Sequence, residues 1–443
     1  MAPEICPTPR NHSAILYQSN CQNLYVLDIP ASISLAQHPR VSSGAAHVDN
    51  LEETSTIFSC PPSEIPYSTE PKGAKAMLRV MERIPSCELE YRKQIATFVR
   101  ETMCELRTNF VGEYCLPRAV QPRLLQRPRK RGRVDGDATV TNAQCSIEPD
   151  LSITATCFEA DAPPLVLAPG VNMLPGLNSI QTVAVKNNSI SAAILQVKKH
   201  YTTSADENLF EERMGKTMPF HTERFRVPPQ ATFVLTHLPT EPNHLPELPI
   251  IFFNGKIFDF ILMDPPWPNR SVRRSAHYQT TPTFNHLQTL LCGILERNLR
   301  PEVGIAAIWT TNNVNSRSTA RKSLENSGLQ VFEEWIWVKT TSKGVPVSPI
   351  CGLWRQPYEV LILGRKPSNA QDEKPTVRRR VIVGVPDIHS RKPHLKELVE
   401  QHFFNADYLE GYKALEVFAR NLTAGWWSCG DEVLRFNWDG WWA

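Results

Sequence analysis

No stretch of this 443-residue chain approaches the roughly 18 consecutive apolar residues that a membrane span requires. The amino terminus, MAPEICPTPRNHSAIL, has no charged segment followed by an apolar one, so no secretory leader is expected. The 11 cysteines are odd in number and none stands in a C-x-x-C pair, which argues against a disulfide framework or a zinc module and for a reducing intracellular compartment. No internal repeat and no G-x-G loop is present. A net charge of +3 is too mild to announce nucleic acid, so any such reading must rest on where the charge sits. What remains is a soluble chain longer than the roughly 250 to 300 residues at which single cores stop growing.

Five regions are expected. Residues 1–72 are rich in Ser, Pro and Thr, with short apolar pieces such as NLYVLDI that suit edge strands, and are read as partly ordered. In residues 73–116, Tyr91, Ile95, Phe98, Val99, Thr102, Leu106 and Phe110 recur every three or four positions, the spacing of an amphipathic helix. Its apolar face has two possible uses, a partner protein or this chain's own catalytic domain; a monomer is favoured. Residues 117–150 form a basic linker in which QRPRKRGRVDG places five cations among the seven residues from Arg127 to Arg133. Such a cluster is a solvated linker, a nuclear import signal or a phosphate-binding arm.

Residues 151–248 read as a mixed α/β accessory region, with SISAAILQVKKHY as a short helix. From 249 to 443 the texture changes. FDFILM, VGIAAIWTT, EEWIWV, YEVLILG, RRVIVGV and ALEVFA alternate with helix-like segments such as TFNHLQTLLCGILERNL and HLKELVEQHF. Near-continuous apolar strands with helical crossovers predict an α/β domain built on a mainly parallel sheet covered on both faces.

In such sheets ligands bind at the carboxyl ends of strands. Asp264 stands at one, followed by Pro265, Pro266 and Trp267. Prolines lack amide donors and hold the backbone extended, leaving nearby carbonyls free to accept. A carboxylate among fixed carbonyls makes an acceptor-only pocket that suits an amine with two donors. Trp267 offers a stacking face, so the ligand that fits is the exocyclic amine of a nucleobase. Asp-Pro alone marks only a strand-ending turn with a packed tryptophan; all four residues after an apolar strand favour the pocket.

With DPPWPNRSVRRSAHY, EEWIWVKTT, QPYEVLILGR, HSRKPHLKELV and EVFARNLTAGWWSCGDEVLRF in that order, the chain from Phe258 to Asn437 resembles the MT-A70 class of S-adenosylmethionine-dependent adenine N6 methyltransferases, and within it the methyltransferase-like protein four branch. The resemblance implies a Rossmann-like class I methyltransferase domain, circularly permuted so that the catalytic motif precedes the cofactor segments, which accounts for the missing G-x-G loop. It implies that Asp264, with the Pro265 carbonyl, holds the adenine amine towards the sulfonium methyl of S-adenosylmethionine, with Pro266 and Trp267 as walls. A sulfonium is already a good leaving group, so positioning can carry the catalysis. Glu416 in ALEVF resembles the acidic partner of the cofactor ribose. Arg420 and Asn421 in FARN look like the residues that flank the ribose and methionine, Phe418 of the same motif joins the cofactor-binding set, and Lys392 in SRKP looks like the lysine that meets the carboxylate. Asp431 and Glu432 fall where the family commonly begins with an amide-bearing residue; an acid at Asp431 loses two donors and alters the bonding to the cofactor's adenosine.

Arg270, Arg273 and Arg274 follow the pocket, where phosphates flanking an extruded adenosine would lie, and Tyr278 adds a stacking surface. Lys339 and Lys343 extend that track from the next loop at the same sheet edge. WWSCGDEVLRFNWDGWW holds five of the ten tryptophans and is expected to pack as a terminal hairpin. His389 and His394 flank a proline at poor ligand spacing, and no metal is assigned. The expectation is a nuclear adenine N6 methyltransferase acting on RNA, with an internal 2′-O-methyladenosine of a small nuclear RNA as target. DNA adenine methylation is the alternative, and a catalytically silent nucleic-acid-binding partner subunit is a second. A small-molecule methyltransferase is disfavoured by the arginine loop.

Overall fold

A computed structural model describes residues 13–39, 56–67, 70, 73–120, 151, 163–199, 221–238, 255–268, 283–353, 355–367, 376–404 and 411–443. In chain order the elements are β1 Ile15–Gln18, β2 Leu24–Leu27, α1 Ile29–Ala36, α2 Ala74–Met81, α3 Ser86–Asn109, β3 Leu165–Val166, β4 Gly170–Leu174, β5 Ala184–Lys186, β6 Ala193–Lys199, β7 His221–Val227, β8 Thr232–Leu235, β9 Phe260–Met263, α4 Phe284–Asn298, β10 Ile305–Thr310, α5 Val314–Asn326, β11 Gln330–Lys339, β12 Tyr358–Arg365, β13 Arg378–Gly384, α6 Lys396–Phe403, β14 Ala414–Val417 and β15 Trp427–Gly430.

Among the described residues, one 12-stranded sheet has the order β1-β2-β13-β11-β12-β10-β9-β14-β15-β8-β5-β3. From β10 through β9, β14 and β15 to β8 the pairing is parallel throughout. Strands buried on both faces have no solvent side to mark with polar residues, so β9 and β10 are apolar and buried from end to end. One face packs Ile261, Met263, Ile308 and Ile336 under Ile95 and Val99 of α3, Leu287 and Leu291 of α4 and Leu324 of α5. The other packs Phe260, Leu262, Trp309 and Trp337 under Ile29 and Ile33 of α1 and Leu398 and Val399 of α6. The result is the α/β three-layer domain that the alternation of elements predicts.

The apolar stripe of α3 is therefore spent on this chain's own sheet. Ile95, Val99, Thr102 and Leu106 are buried, and Tyr91, Phe98 and Phe110 pack at the margin. Buried charge reinforces the docking: Glu88 pairs with Arg317 of α5, and Tyr91 donates to Glu334 at 3.2 Å.

The main sheet crosses the boundary expected at 249. NLYVLDI forms β2, which pairs parallel with β13, and β8, β5 and β3 extend the opposite flank. Among the described residues of the region from 151 to 248, the regular elements are strands and one 3-10 turn, Leu177–Ile180. The described part of SISAAILQVKKHY, residues 189–199, is not helical. Ala193, Leu195 and Val197 alternate inward, the period-two pattern of a strand, and β6 joins β4 and β7 in a second sheet. The C-terminal tryptophan run is not a hairpin either, since β15 pairs parallel with β14 and β8 before the chain turns through two 3-10 segments. Its tryptophans pack as expected, with Trp426 and Trp441 buried.

Candidate active site

The chain leaves β9 through α4 to β10 on one side, while β14 is followed by β15 on the other, so the sheet order reverses between β9 and β14. A crevice opens outside the carboxyl ends of strands at such a point. Register places Met263 opposite Ile308 on one neighbour and Val417 on the other, and the Asp264 amide donates to the Val417 carbonyl at 3.3 Å. Asp264 thus stands beside Phe418, 154 positions further along the chain, which brings the two segments expected from the sequence to be catalytic and cofactor-binding to one edge.

Asp264 sits among cations. Its Oδ2 accepts from Arg420 Nη1 at 2.7 Å, and Lys392 Nζ lies 3.4 Å from Oδ1. Arg420 also donates from Nε to Glu432 at 2.9 Å, and Glu432 accepts from Arg435 at 2.6 Å, so Arg420 is held from both sides. Lys392 pairs with Glu359, which pairs in turn with Lys339. Burial works against ionising Glu359, but the ammonium groups of Lys392 and Lys339 outweigh it and hold the carboxyl well below its ordinary range. Burial would likewise depress Lys392, and the carboxylates of Asp264 and Glu359 reverse that and raise it.

An open cleft runs from this cluster between the β14 end and the segment 390–395. Glu416 lines it. Burial, aided by the negative charge of Asp264 and opposed by Arg420, pushes its carboxyl up to about 8. Glu416 Oε2 and Asn421 Nδ2 are both buried, and neither has a hydrogen-bond partner. An unsatisfied acceptor and an unsatisfied donor facing one cleft are costly unless a ligand completes them. Hydroxyl groups, which donate and accept, complete both. His394 also lines the cleft, but burial and the nearby Lys396 push it down to about 3. Its Nδ1 accepts from the Lys396 amide, so the neutral ring carries its proton on Nε2, 2.7 Å from Thr423 Oγ1.

The cleft wall is built from unusual backbone. Phe418 and Ser390 line it at φ values of 59° and 71°, conformations that non-glycine residues adopt mostly where the surrounding structure imposes them. Gly430, at the end of β15, lets the turn at Phe418 lie close: a Cβ there would fall 3.2 Å from Phe418 Cα and 3.3 Å from Ala419 N.

Not every residue singled out from the sequence faces the cleft. Trp267 is only 4% exposed; its ring stacks on Phe284 at 6.2 Å and its indole N–H donates to the Trp309 carbonyl at 2.9 Å. It is a buried peg that fixes DPPW to α4 and β10, and its described surroundings leave no open face for a base. The Pro265 carbonyl accepts from the Trp267 amide at 2.8 Å, which closes the turn after Asp264. Pro266 continues that turn. Asp431 lies outside the cleft lining and is half exposed, 3.9 Å from His237, while Glu432 reaches the site through Arg420. Lys343 is exposed beside Glu64 at 3.5 Å. Arg270, Arg273, Arg274 and Tyr278 lie outside the described residues, as does the basic cluster 127–133. Sequence reasoning assigned no role to Glu359 or Trp309, whose ring lies 5.0 Å below Lys392. The signal for Glu359 was present, an acid near the start of the apolar run YEVLILG.

Residues 258–432 match the MT-A70 family model. The chain thus carries an MT-A70 domain over those residues. It is 28% identical over 441 residues to the N6-methyladenosine RNA methyltransferase MTA1 of Pyricularia oryzae, an alignment covering 96% of this chain and 95% of that one. It is 40% identical over 192 residues to MTA1 of Cryphonectria parasitica, covering 42% and 55%. It is 31% identical over 281 residues to the N(6)-adenine-specific methyltransferase METTL4 of Mus musculus, covering 60% and 54%. The chain therefore spans about half the length of the last two. The MT-A70 match encloses Asp264, Glu359, Lys392, Glu416 and Arg420.

Proposed function

We propose that this adenine N6 methyltransferase takes its methyl group from S-adenosylmethionine and delivers it to RNA, at an internal 2′-O-methyladenosine of a small nuclear RNA. The observation that carries the reading is the cleft itself: Asp264 at its mouth and the unpaired Glu416 and Asn421 inside. Those two atoms fit the ribose hydroxyls of the cofactor, and Lys392 and Arg420 supply the cationic side for its carboxylate. Bound S-adenosylmethionine supplies an electrophilic methyl on a sulfonium sulfur. Asp264 accepts from the adenine amine and orients its nitrogen, and Arg420 and Lys392 hold the Asp264 carboxylate in place. Because the group that would leave is a neutral thioether, a strong base is unnecessary, and the amine proton would pass to solvent after transfer. Arg270, Arg273 and Arg274 follow the pocket in sequence and suit the flanking phosphates. The basic cluster from Arg127 to Arg133 suits nuclear import.

Matched oligonucleotides carrying one adenosine, one 2′-O-methyladenosine or one deoxyadenosine, scored by mass spectrometry for methyl gain, test the substrate. Fastest transfer to the 2′-O-methyl RNA is expected; a preference for the deoxy substrate overturns the RNA assignment.

A further inference from the structure

A second pocket, of about 170 Å³, lies away from the cleft, between α3 and the connection from β11 to β12. α3 packs on the same sheet face as Trp267. The connection leaves β11 at Lys339 and enters β12 at Tyr358, next to Glu359, so it begins and ends at the charged cluster of the active site. β12 stands two strands from β9, a lateral step of roughly 10 Å.

The cavity joins an apolar wall to a cationic rim. Leu89, Ala96 and Ile350 form the wall, and Arg92, Lys93 and Arg100 line it from the helix. Arg92, Ala96 and Arg100 are four residues apart, so their stripe runs about 12 Å along the helix axis. Arg92 is fixed by Glu88 at 2.6 Å and by the Leu353 carbonyl at 3.2 Å, and the guanidinium of Arg100 rests on Cys351 Sγ. The acids nearby are occupied: Glu88 also pairs with Arg317, and Glu70 accepts from the Leu353 amide at 3.1 Å. Positive charge over a dry wall fits a phosphate attached to a ribose or base.

We propose that this cavity holds a nucleotide of the methyl-acceptor strand that flanks the target adenosine, its phosphate on Lys93 and Arg100 and its sugar or base against Leu89, Ala96 and Ile350. The inference rests on the reading that the acceptor is a polynucleotide. Among the described residues the lining carries no aromatic ring, so the contact expected is with phosphate and sugar more than with a stacked base.

The test compares wild type with the double variant Lys93→Ala, Arg100→Ala on a trinucleotide centred on the target and on a longer oligonucleotide. The expected result is a KM about tenfold higher on the longer substrate alone, a shallower salt dependence of binding, and unchanged kcat and trinucleotide kinetics. Equal KM values on the longer substrate overturn the proposal. Peptide-level alkylation of Cys351 in the wild-type protein gives a readout independent of the variant's folding: the longer oligonucleotide slows it relative to Cys21 and the trinucleotide does not. Equal alkylation rates with and without the longer strand overturn the proposal. If the wild type transfers no methyl group, the polynucleotide acceptor reading fails by that result. Oligonucleotide anisotropy then decides the cavity alone, with weaker binding by the variant supporting it and equal binding overturning it.

Discussion

The carboxylate of Asp264 and the guanidinium of Arg420 meet at 2.7 Å although 156 residues separate them in the chain. Parallel pairing of β9 with β14 makes the meeting possible, because it sets the ends of both strands side by side. The pair ties the DPPW motif to the segment that follows β14, so each is held in place by the other.

Asp264→Asn keeps the shape and removes the charge that Arg420 and Lys392 hold. Its expected effect is a loss of roughly 10² to 10³ in kcat, the scale of removing one oriented polar group from a reacting centre. Cofactor affinity measured by calorimetry is expected to stay within a few-fold, since the proposed role of Asp264 is on the acceptor side. An equal loss of cofactor affinity would move Asp264 to the cofactor side.

Glu416 gives the ligand-free protein a pH dependence of defined sign. Its carboxyl titrates near 8 in the fold and near 4.3 in the unfolded chain, so the folded state binds its proton more tightly. Stability from this group is complete below about pH 4 and is lost as pH rises to about 8. Denaturant titrations between pH 5.5 and 8.5 are expected to show that decline, and Glu416→Gln to flatten it. Two ribose hydroxyls are best met by the ionised carboxylate, so cofactor affinity is expected to rise about tenfold from pH 6.5 to 8.5 in the wild type and not in the variant.

Trp267 separates a packing role from a stacking one. Trp267→Ala is expected to cost about 3 to 5 kcal/mol, the cost of deleting a buried aromatic ring. Trp267→Phe keeps most of the ring and leaves the Trp309 carbonyl without its donor, at about 1 to 3 kcal/mol. If thermal unfolding of both variants matches the wild type while substrate affinity falls, the ring faces substrate instead.

α3 is an integral layer of the sheet. Arg317→Ala leaves Glu88, 3% exposed, with only the more exposed Arg92 as partner. Breaking a buried pair this way is expected to cost about 3 to 5 kcal/mol. A melting temperature unchanged by Arg317→Ala would show that α3 is not anchored through this pair.

Much of the domain was legible because buried parallel strands announce themselves: FILM, IAAIWT and YEVLILGR could be placed without knowing their neighbours. AILQVKK misled because its inward positions, Ala193, Leu195 and Val197, matter only once a partner strand exists. Trp267 misled for a related reason. Its composition suits stacking, while Phe284 and the Trp309 carbonyl, 17 and 42 positions away, decide what its ring touches. Glu359 shows the limit from the other side, because an acid in an apolar strand gains meaning only when Lys339 and Lys392 converge on it.

The most direct test uses S-adenosylmethionine with a deuterated methyl group and an RNA carrying a single target adenosine, followed by nucleoside mass spectrometry of wild type and Asp264→Asn. The predicted result is a labelled methyl on the adenine N6 with the wild type and almost none with the variant, at comparable cofactor affinity. Label at another position of the base, or equal labelling by Asp264→Asn, would contradict the assignment of Asp264 as the residue that orients the acceptor amine.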